Sequence, residues 1–295
     1  MKKTTIFKNL VLDRKILVLP GAHDAMSAKI VEQTGFKAVT LGGYPASASI
    51  LGQPDVSLLT LTEMATLSRN VVEAVDIPVF SDGDTGHGNV TNVIRTVREL
   101  EKAGVAGLFI EDQVFPKRCG HMEGKQVVEQ AEMIAKIKAA VDTRIDQDLI
   151  IMARTDARAI YGIEEAISRA NCYREAGADL IFIEAPLGEE ELRRINLEVN
   201  APTMANMVEG GKTPLYAAQE LEDMGFAVVV FPLSSIYATA FTVRRLMEEL
   251  YRTGTTRGYL EHMIAFDDFN RLIGLENVRE TEALYYKDLI DLSKK

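Results

Sequence analysis

One phrase recurs four times along the chain: an amphipathic helical pattern ends at Gly, and an apolar, β-rich run follows within a few residues. It reads EQTGFKAVTL around Gly35, EKAGVAGLFI around Gly104, REAGADLIFI around Gly177 and EDMGFAVVVF around Gly225. Gly supplies the left-handed backbone that stops a helix, and an unbroken apolar run marks a strand buried on both faces. Each phrase is therefore the second half of a strand–helix–strand repeat. The gaps hold further strand candidates: ILVLP at 16–20, IPVFS at 77–81, LIIMA at 149–153 and PTMAN at 202–206. With the runs at 37–42, 106–110, 180–184 and 227–232 they make eight strands, separated by helical patterns such as 91–103, 130–142 and 163–176. Eight alternating units predict an α/β fold of the (β/α)8, TIM-barrel type, with a doubly wound open sheet as the runner-up. Past Gly254 the strands stop and helical stretches follow near 259–273 and 276–293, so the chain divides into a barrel over 1–253 and a helical tail over 254–295.

A length of 295 residues, 47% hydrophobic, is enough for one large core. The 33 basic and 43 acidic side chains give a net charge of -10 with no basic cluster, which argues against nucleic acid or an anionic membrane as the partner and favours a small ligand or a metal. No apolar run approaches the ~18 residues of a membrane span, and the opening MKKTT lacks the apolar stretch of a signal peptide, so a cytoplasmic location is expected. Two cysteines, Cys119 and Cys172, support neither a disulfide framework nor a zinc knuckle.

In a barrel of this type the chemistry lies at the C-terminal ends of the strands. Those ends are polar here: His23 and Asp24, Asp82 and Asp84, Glu111 and Asp112, Arg154 to Asp156, Glu184, Asn206 and Glu209, Ser234 and Ser235. Simple emergence into solvent explains one or two such charges. It explains poorly the carboxylates after strands 3, 4 and 6, which would repel across the barrel mouth without a cation between them. In DGDTGHGN at 82–89, two carboxylates and three glycines make a close-approach loop whose oxygen-rich surround suits magnesium better than zinc.

A second constellation, EDQVFPKRCGH at 111–121, lies in a segment of about sixteen residues between strand 4 and its helix, long enough to act as a lid. Cys119, next to Lys117 and Arg118 and two residues before His121, has the electropositive surround of a reactive thiol. Cys172, inside a helical pattern, reads as packing. His121 is the functional histidine of this reading. His87 stands even between the two roles, His23 could as well hold a loop as touch a ligand, and His262 reads as structural or exposed.

These residues, with PGAHDAMSA at 20–28, LGQPD at 51–55, MARTDA at 152–157, FIEA at 182–185 and ANMVEGGKTP at 205–214, closely resemble the isocitrate lyase and phosphoenolpyruvate mutase superfamily over about residues 8–250. The resemblance implies a (β/α)8-type barrel whose C-terminal helix is exchanged between subunits of a homodimer, commonly paired again into a homotetramer. By similarity Asp82 is the direct magnesium ligand, with manganese as a substitute, and Asp55, Asp84 and Glu111 act mainly through bound waters. Cys119 is the catalytic acid, brought over the substrate by closure of the KRCGH loop, with Lys117, Arg118 and His121 stabilising negative charge. Arg154, Glu184 and Asn206 contact substrate oxygens, joined by Gly43, Tyr44, Gly120 and His121.

The cysteine in KRCGH places the chain nearer the lyases than the phosphonopyruvate-forming mutases, and HMEGK and ANMVEGG, with Gly43-Tyr44, resemble lyases of small alkylated malates more than those of 2-methylisocitrate. Two departures bear on the substrate: Gly42 where Ser or Thr is usual, and His87 where Tyr or Phe is usual. The expected activity is magnesium-dependent carbon–carbon cleavage of a 2-hydroxydicarboxylate, of 2-alkylmalate or 2,3-dimethylmalate type ahead of 2-methylisocitrate, giving a 2-oxo acid such as pyruvate plus a carboxylate. The alternatives are an oxaloacetate hydrolase, a carboxyphosphonoenolpyruvate phosphonomutase, and a carboxylate-binding barrel without turnover.

Overall fold

The computed structural model describes residues 1–120 and 122–292, with side chains through residue 286. Eight parallel strands, β1 (Leu17–Ala22), β2 (Val39–Leu41), β3 (Val79–Asp82), β4 (Gly107–Glu111), β5 (Ile150–Thr155), β6 (Leu180–Ile183), β7 (Thr203–Asn206) and β8 (Val228–Phe231), pair in chain order. β8 returns to β1 with Leu17 opposite Val228 and Pro20 opposite Phe231, so the sheet closes into a barrel rather than the open alternative. Every strand lies within about two residues of its place in the sequence pattern.

α1 (Lys3–Val11) precedes the first strand, the crossovers hold α2 (Ala25–Thr34), α3 (Gly43–Leu51), α4 (Leu61–Ala74), α5 (Val90–Ala103), α6 (Gln130–Thr143), α7 (Arg158–Tyr161), α8 (Ile163–Glu175), α9 (Glu189–Glu198) and α10 (Ala218–Asp223), and α11 (Ser234–Thr253) follows the last strand. Gly35 and Gly104 cap α2 and α5 at φ 102° and 90°, and Gly177 and Gly225 follow α8 and α10 at φ 110° and 98°. The four glycines of the recurring phrase are thus left-handed helix stops, where any side chain is strained.

Alternate residues of a strand face opposite ways, and the two faces are filled differently. Leu108, Ile110, Ile151, Ala153, Ile181, Ile183 and Val229 pack with Val97, Leu100, Ile137, Tyr173 and Leu192 of the surrounding helices. Leu19, Phe80, Phe109, Met152, Phe182, Met204 and Val230 fill the barrel interior together with Phe7 and Val11 of α1. The sequence reading did not anticipate α1, which plugs the N-terminal end: Phe7 is fully buried and stacks on Phe80 at 5.4 Å between ring centroids.

The chain forms two compact units, Met1–Tyr237 and the residues from Ala238 onward. The division falls within α11 rather than after it. In the second unit the helix expected at 259–273 is a 3-10 turn, Arg257–His262, followed by α12 (Phe266–Leu272), and α13 (Leu275–Leu292) takes the place of the last stretch. No helix among the described residues is long and apolar enough to cross a membrane.

Candidate active site

The interior face of the barrel changes character at one level. Phe80 is followed two residues on by Asp82, Phe109 by Glu111, Met152 by Arg154, Phe182 by Glu184 and Met204 by Asn206. With a period of two, all five polar residues continue the interior rows and converge at the C-terminal mouth. A cavity opens there, lined by the polar residues Asp55, Asp82, Lys117, Arg154, Glu184 and Asn206 and by the apolar residues Phe182, Met204, Val208, Pro232 and Leu233. Gly43, Tyr44, Cys119 and Gly120 complete its rim.

Asp82 is held by the backbone. Its Oδ2 accepts from Gly43 N at 2.7 Å and its Oδ1 from Asp84 N at 2.7 Å. A Cβ on residue 43 would stand 2.9 Å from Asp82 Oδ2, so only glycine lets the start of α3 come this close. Asn89 caps α5 by accepting from Thr91 N at 3.0 Å, which ends the glycine loop where the sequence placed it.

Three neighbouring carboxylates share this region. Lys117 Nζ lies 2.8 Å from Asp55 Oδ2 and 3.8 Å from Asp84 Oδ2, with its side chain 3% exposed. Burial alone would make that ammonium give up its proton, but Glu111, Asp84, Asp82 and Asp55 outweigh it and hold the lysine charged. Burial also pushes the carboxyls of Asp82 and Glu111 above the usual carboxylate range. Glu111 Oε2 is buried without a hydrogen-bond donor among the described residues, its nearest charge being Arg154 Nε at 3.3 Å.

The cluster is therefore under-neutralised and keeps oxygen lone pairs to spare, as a site for a hard divalent cation requires. Its carboxylates surround shared space rather than forming a closed chelate, since no three His, Cys, Asp or Glu among the described residues have the spacing to grip a bare ion. Such an open oxygen set suits an ion that retains most of its waters, and does not suit zinc.

Arg154 is the electrostatic hub. Its guanidinium donates through Nε to Asp156 Oδ2 at 2.9 Å and through NH2 to Asp156 Oδ1 at 3.2 Å, and NH2 also reaches Glu184 Oε2 at 3.0 Å. Its carbon lies 5.1 Å from the Phe182 ring centroid. Burial would raise the Asp156 carboxyl, yet Arg154 and Lys125 pull it down to about 2. Asn206 Nδ2 sits 3.4 Å from Glu184 Oε2, and its Oδ1 is a buried acceptor with no donor among the described residues, on a residue that lines the cavity.

Not every candidate joins the cluster. Arg118 is exposed and donates to Glu123 O at 3.1 Å, so its position next to Cys119 in the sequence does not bring its charge into the cavity. His121 lies outside the described residues. His23 faces Ser235 Oγ at 3.2 Å, and Asp24 caps α2 by accepting from Ser27 N at 2.7 Å, so at strand 1 the polar residues hold the loop. His87 lines a small recess beside Asp55, Asp82 and Asp84, where burial lowers its pKa. Asp112 is fully buried and points away from the cavity, accepting from Thr155 Oγ1 at 2.7 Å, Asp156 N at 2.9 Å and Tyr173 OH at 2.9 Å. Sequence reasoning took Asp156 only as a strand-end charge, and its grip on Arg154 was missed.

Comparison with known proteins gives a consistent outcome. The family model described as phosphoenolpyruvate phosphomutase matches residues 7–251. The chain is 52% identical to 2,3-dimethylmalate lyase of Eubacterium barkeri, covering 97% of this chain and 99% of that one. It is 46% identical to the chloroplastic carboxyvinyl-carboxyphosphonate phosphorylmutase of Arabidopsis thaliana, covering 95% and 84% respectively. A crystal structure of 2,3-dimethylmalate lyase superposes with a TM-score of 0.92 at 33% identity, covering 97% and 96%.

Proposed function

The chain belongs to the phosphoenolpyruvate mutase and isocitrate lyase superfamily, and from that premise we propose that it is a magnesium-dependent carbon–carbon lyase that cleaves a 2-alkylmalate or 2,3-dimethylmalate. The observation that carries the reading is the placement of the Cys119 thiol-bearing lid residue on the same cavity as Asp82, Arg154 and Asn206. A general acid, a metal-binding carboxylate and oxyanion donors then face one small substrate.

Asp82 would hold the cation directly, with Asp55, Asp84 and Glu111 behind bound waters. When bound there, magnesium or manganese supplies positive charge to the substrate's carboxylate and 2-hydroxyl, which favours the alkoxide and then the 2-keto group. Arg154 and Asn206 orient the carboxylate oxygens. The 2-hydroxyl gives up its proton to solvent, the O–H electron pair forms the 2-keto C=O, and the bond next to that carbon breaks, its electron pair passing to the departing α-carbon, whose carboxylate becomes an enediolate. Lys117, which lines the same cavity, would lower the energy of that anion with its charge. Cys119 Sγ–H gives its proton to the carbon, and the products are a 2-oxo acid and a carboxylate. The apolar lining of Val208, Leu233 and Met204 suits methyl substituents.

The test is release of 2-oxo acid from a panel of 2-methylmalate, 2,3-dimethylmalate, 2-methylisocitrate and oxaloacetate, with a carboxyphosphonate substrate alongside. Highest kcat/KM on an alkylmalate supports the reading. Turnover of oxaloacetate or the phosphonate alone sinks it, and no turnover with tight magnesium and pyruvate binding favours a binding barrel. We assign the residues from Ala238 onward to assembly of a homodimer or homotetramer, a reading supported by the exposed apolar side chains Phe241, Met247 and Tyr251 of α11.

The metal assignment makes a pH-dependent prediction. Asp82 and Glu111 have carboxyls raised by burial, so they hold protons in the folded state that the unfolded chain has lost. Their contribution to stability is present at acid pH and disappears as pH rises through the raised values. A divalent cation binds their ionised form and offsets that loss. The increase in Tm on saturation with magnesium is therefore expected to be larger at about pH 8 than at about pH 5, and an increase independent of pH would remove these carboxylates from the metal site.

A further inference from the structure

Cys119 stands at the tip of a braced hairpin. Val114 N donates to Gln126 O at 2.8 Å, Val128 N to Asp112 O at 2.8 Å, and Gln113 bridges antiparallel to Val127. Those bonds tie the stem of the 113–128 segment and leave its tip to be fixed by other means. Two buried side chains do so. Gln113, 1% exposed, donates from Nε2 to Arg118 O at 2.8 Å and accepts at Oε1 from Arg118 N at 3.1 Å, gripping both groups of the residue before the cysteine. Lys125, with its side chain 2% exposed, donates from Nζ to Gly120 O and to Asp156 Oδ1, the latter at 2.7 Å, and so grips the residue after it.

Each grip has a second end inside the site. Gln113 Nε2 also donates to Glu111 Oε1 at 3.1 Å, which ties the tip to the carboxylate cluster. Asp156, the anchor for Lys125, is the carboxylate that holds Arg154 on both its oxygens. Gly120 itself lies against that pair, for a Cβ there would be 2.4 Å from Arg154 NH2 and 2.6 Å from Glu184 Cδ.

We infer that Gln113 and Lys125 are positioning residues for the acid step: together they clamp the peptides on either side of Cys119 and set where its thiol meets the substrate carbon. A cysteine has a single side-chain torsion before its sulfur, so the sulfur position follows the backbone. Misplacement of a reacting group by about 1 Å costs on the order of 100-fold in rate. The inference rests on Cys119 being the carbon acid.

The experiment compares the full-length enzyme with Lys125→Met, Lys125→Arg and Gln113→Met. It measures kcat and KM on the best alkylmalate, and alkylation of Cys119 by iodoacetamide, read at its own peptide by mass spectrometry, with and without magnesium plus oxalate. Lys125→Met and Gln113→Met should each lose about 10- to 100-fold in kcat with KM nearly unchanged. Magnesium and oxalate should protect Cys119 in the wild type and not in these variants, and Lys125→Arg should recover part of both properties. Gln113→Met keeps the side-chain shape and guards against a folding defect specific to the lysine. Wild-type kcat in both methionine variants, or lost kcat with Cys119 protection intact and no rescue by arginine, overturns the proposal. Alkylation needs no turnover, so an error in the acid assignment shows separately, as activity retained by Cys119→Ala.

Discussion

Cys119→Ala is expected to lower turnover by about 100- to 10,000-fold, the usual contribution of a positioned general acid, while magnesium and oxalate bind as before. Carbon protonates slowly unless an acid of matched strength waits in line with the developing charge. Among the described residues that line the cavity, Cys119 is the one on the 113–128 segment with such a proton to give, since Lys117, on the same segment, is paired with Asp55, and Arg154 is paired with Asp156 and Glu184. Cys119→Ser should fail almost as badly, because a hydroxyl is a far weaker acid than a thiol. Binding survives because Asp82, Arg154 and Asn206 sit at the ends of β3, β5 and β7, on the barrel itself rather than on the 113–128 segment. Steady-state kinetics on the best substrate and calorimetry with magnesium and oxalate separate the two effects. If Cys119→Ala turns over near the wild-type rate, the thiol is not the acid and the proton comes from another group.

What the sequence made legible follows from periodicity. The four glycine stops and the unbroken apolar runs located the strands because local backbone preference and burial point the same way there. The site carboxylates were legible for a related reason: Asp82, Glu111 and Glu184 end interior rows of apolar residues, and a charge in such a row needs a purpose. The direction of a loop side chain is not written in spacing. Arg118 looked like an active-site cation beside Cys119 and instead turns outward to Glu123 O. Nothing in the spacing marked Lys125, which is buried against Asp156, 31 residues further along the chain. His23 and Asp24 resembled the other strand-end residues but hold the entrance to α2. The helix α1 was overlooked because only Phe7 and Val11 of its face are buried, too short a stripe to stand out before the barrel is assembled.

The second large effect is expected at Arg154, where one guanidinium serves three buried carboxylates. Glu111 and Asp156 are fully buried and Glu184 is 1% exposed, so none has water to fall back on. Removal of one partner from a buried ionic cluster costs about 3–5 kcal/mol, a large share of the roughly 5–15 kcal/mol by which a domain is stable. Arg154→Met keeps an unbranched apolar stem and deletes the guanidinium, whose carbon lies 6.0 Å from the Phe109 ring centroid and 5.1 Å from that of Phe182, so the loss is mainly electrostatic. The sign of its pH dependence follows from the carboxylates left behind. Without Arg154 the Asp156 carboxyl rises from about 2, with Lys125 as its remaining cation, and the Glu111 carboxyl, already raised by burial, rises further. A carboxyl raised above its unfolded value gives stability that is present at acid pH and lost as pH increases. The deficit of Arg154→Met in urea denaturation should therefore be smallest near about pH 4 and widen toward about pH 8, with Arg154→Lys intermediate because an ammonium lacks the fork that spans both oxygens of Asp156. A loss below about 1 kcal/mol, unchanged across that range, would mean that these carboxylates are neutralised by something other than Arg154.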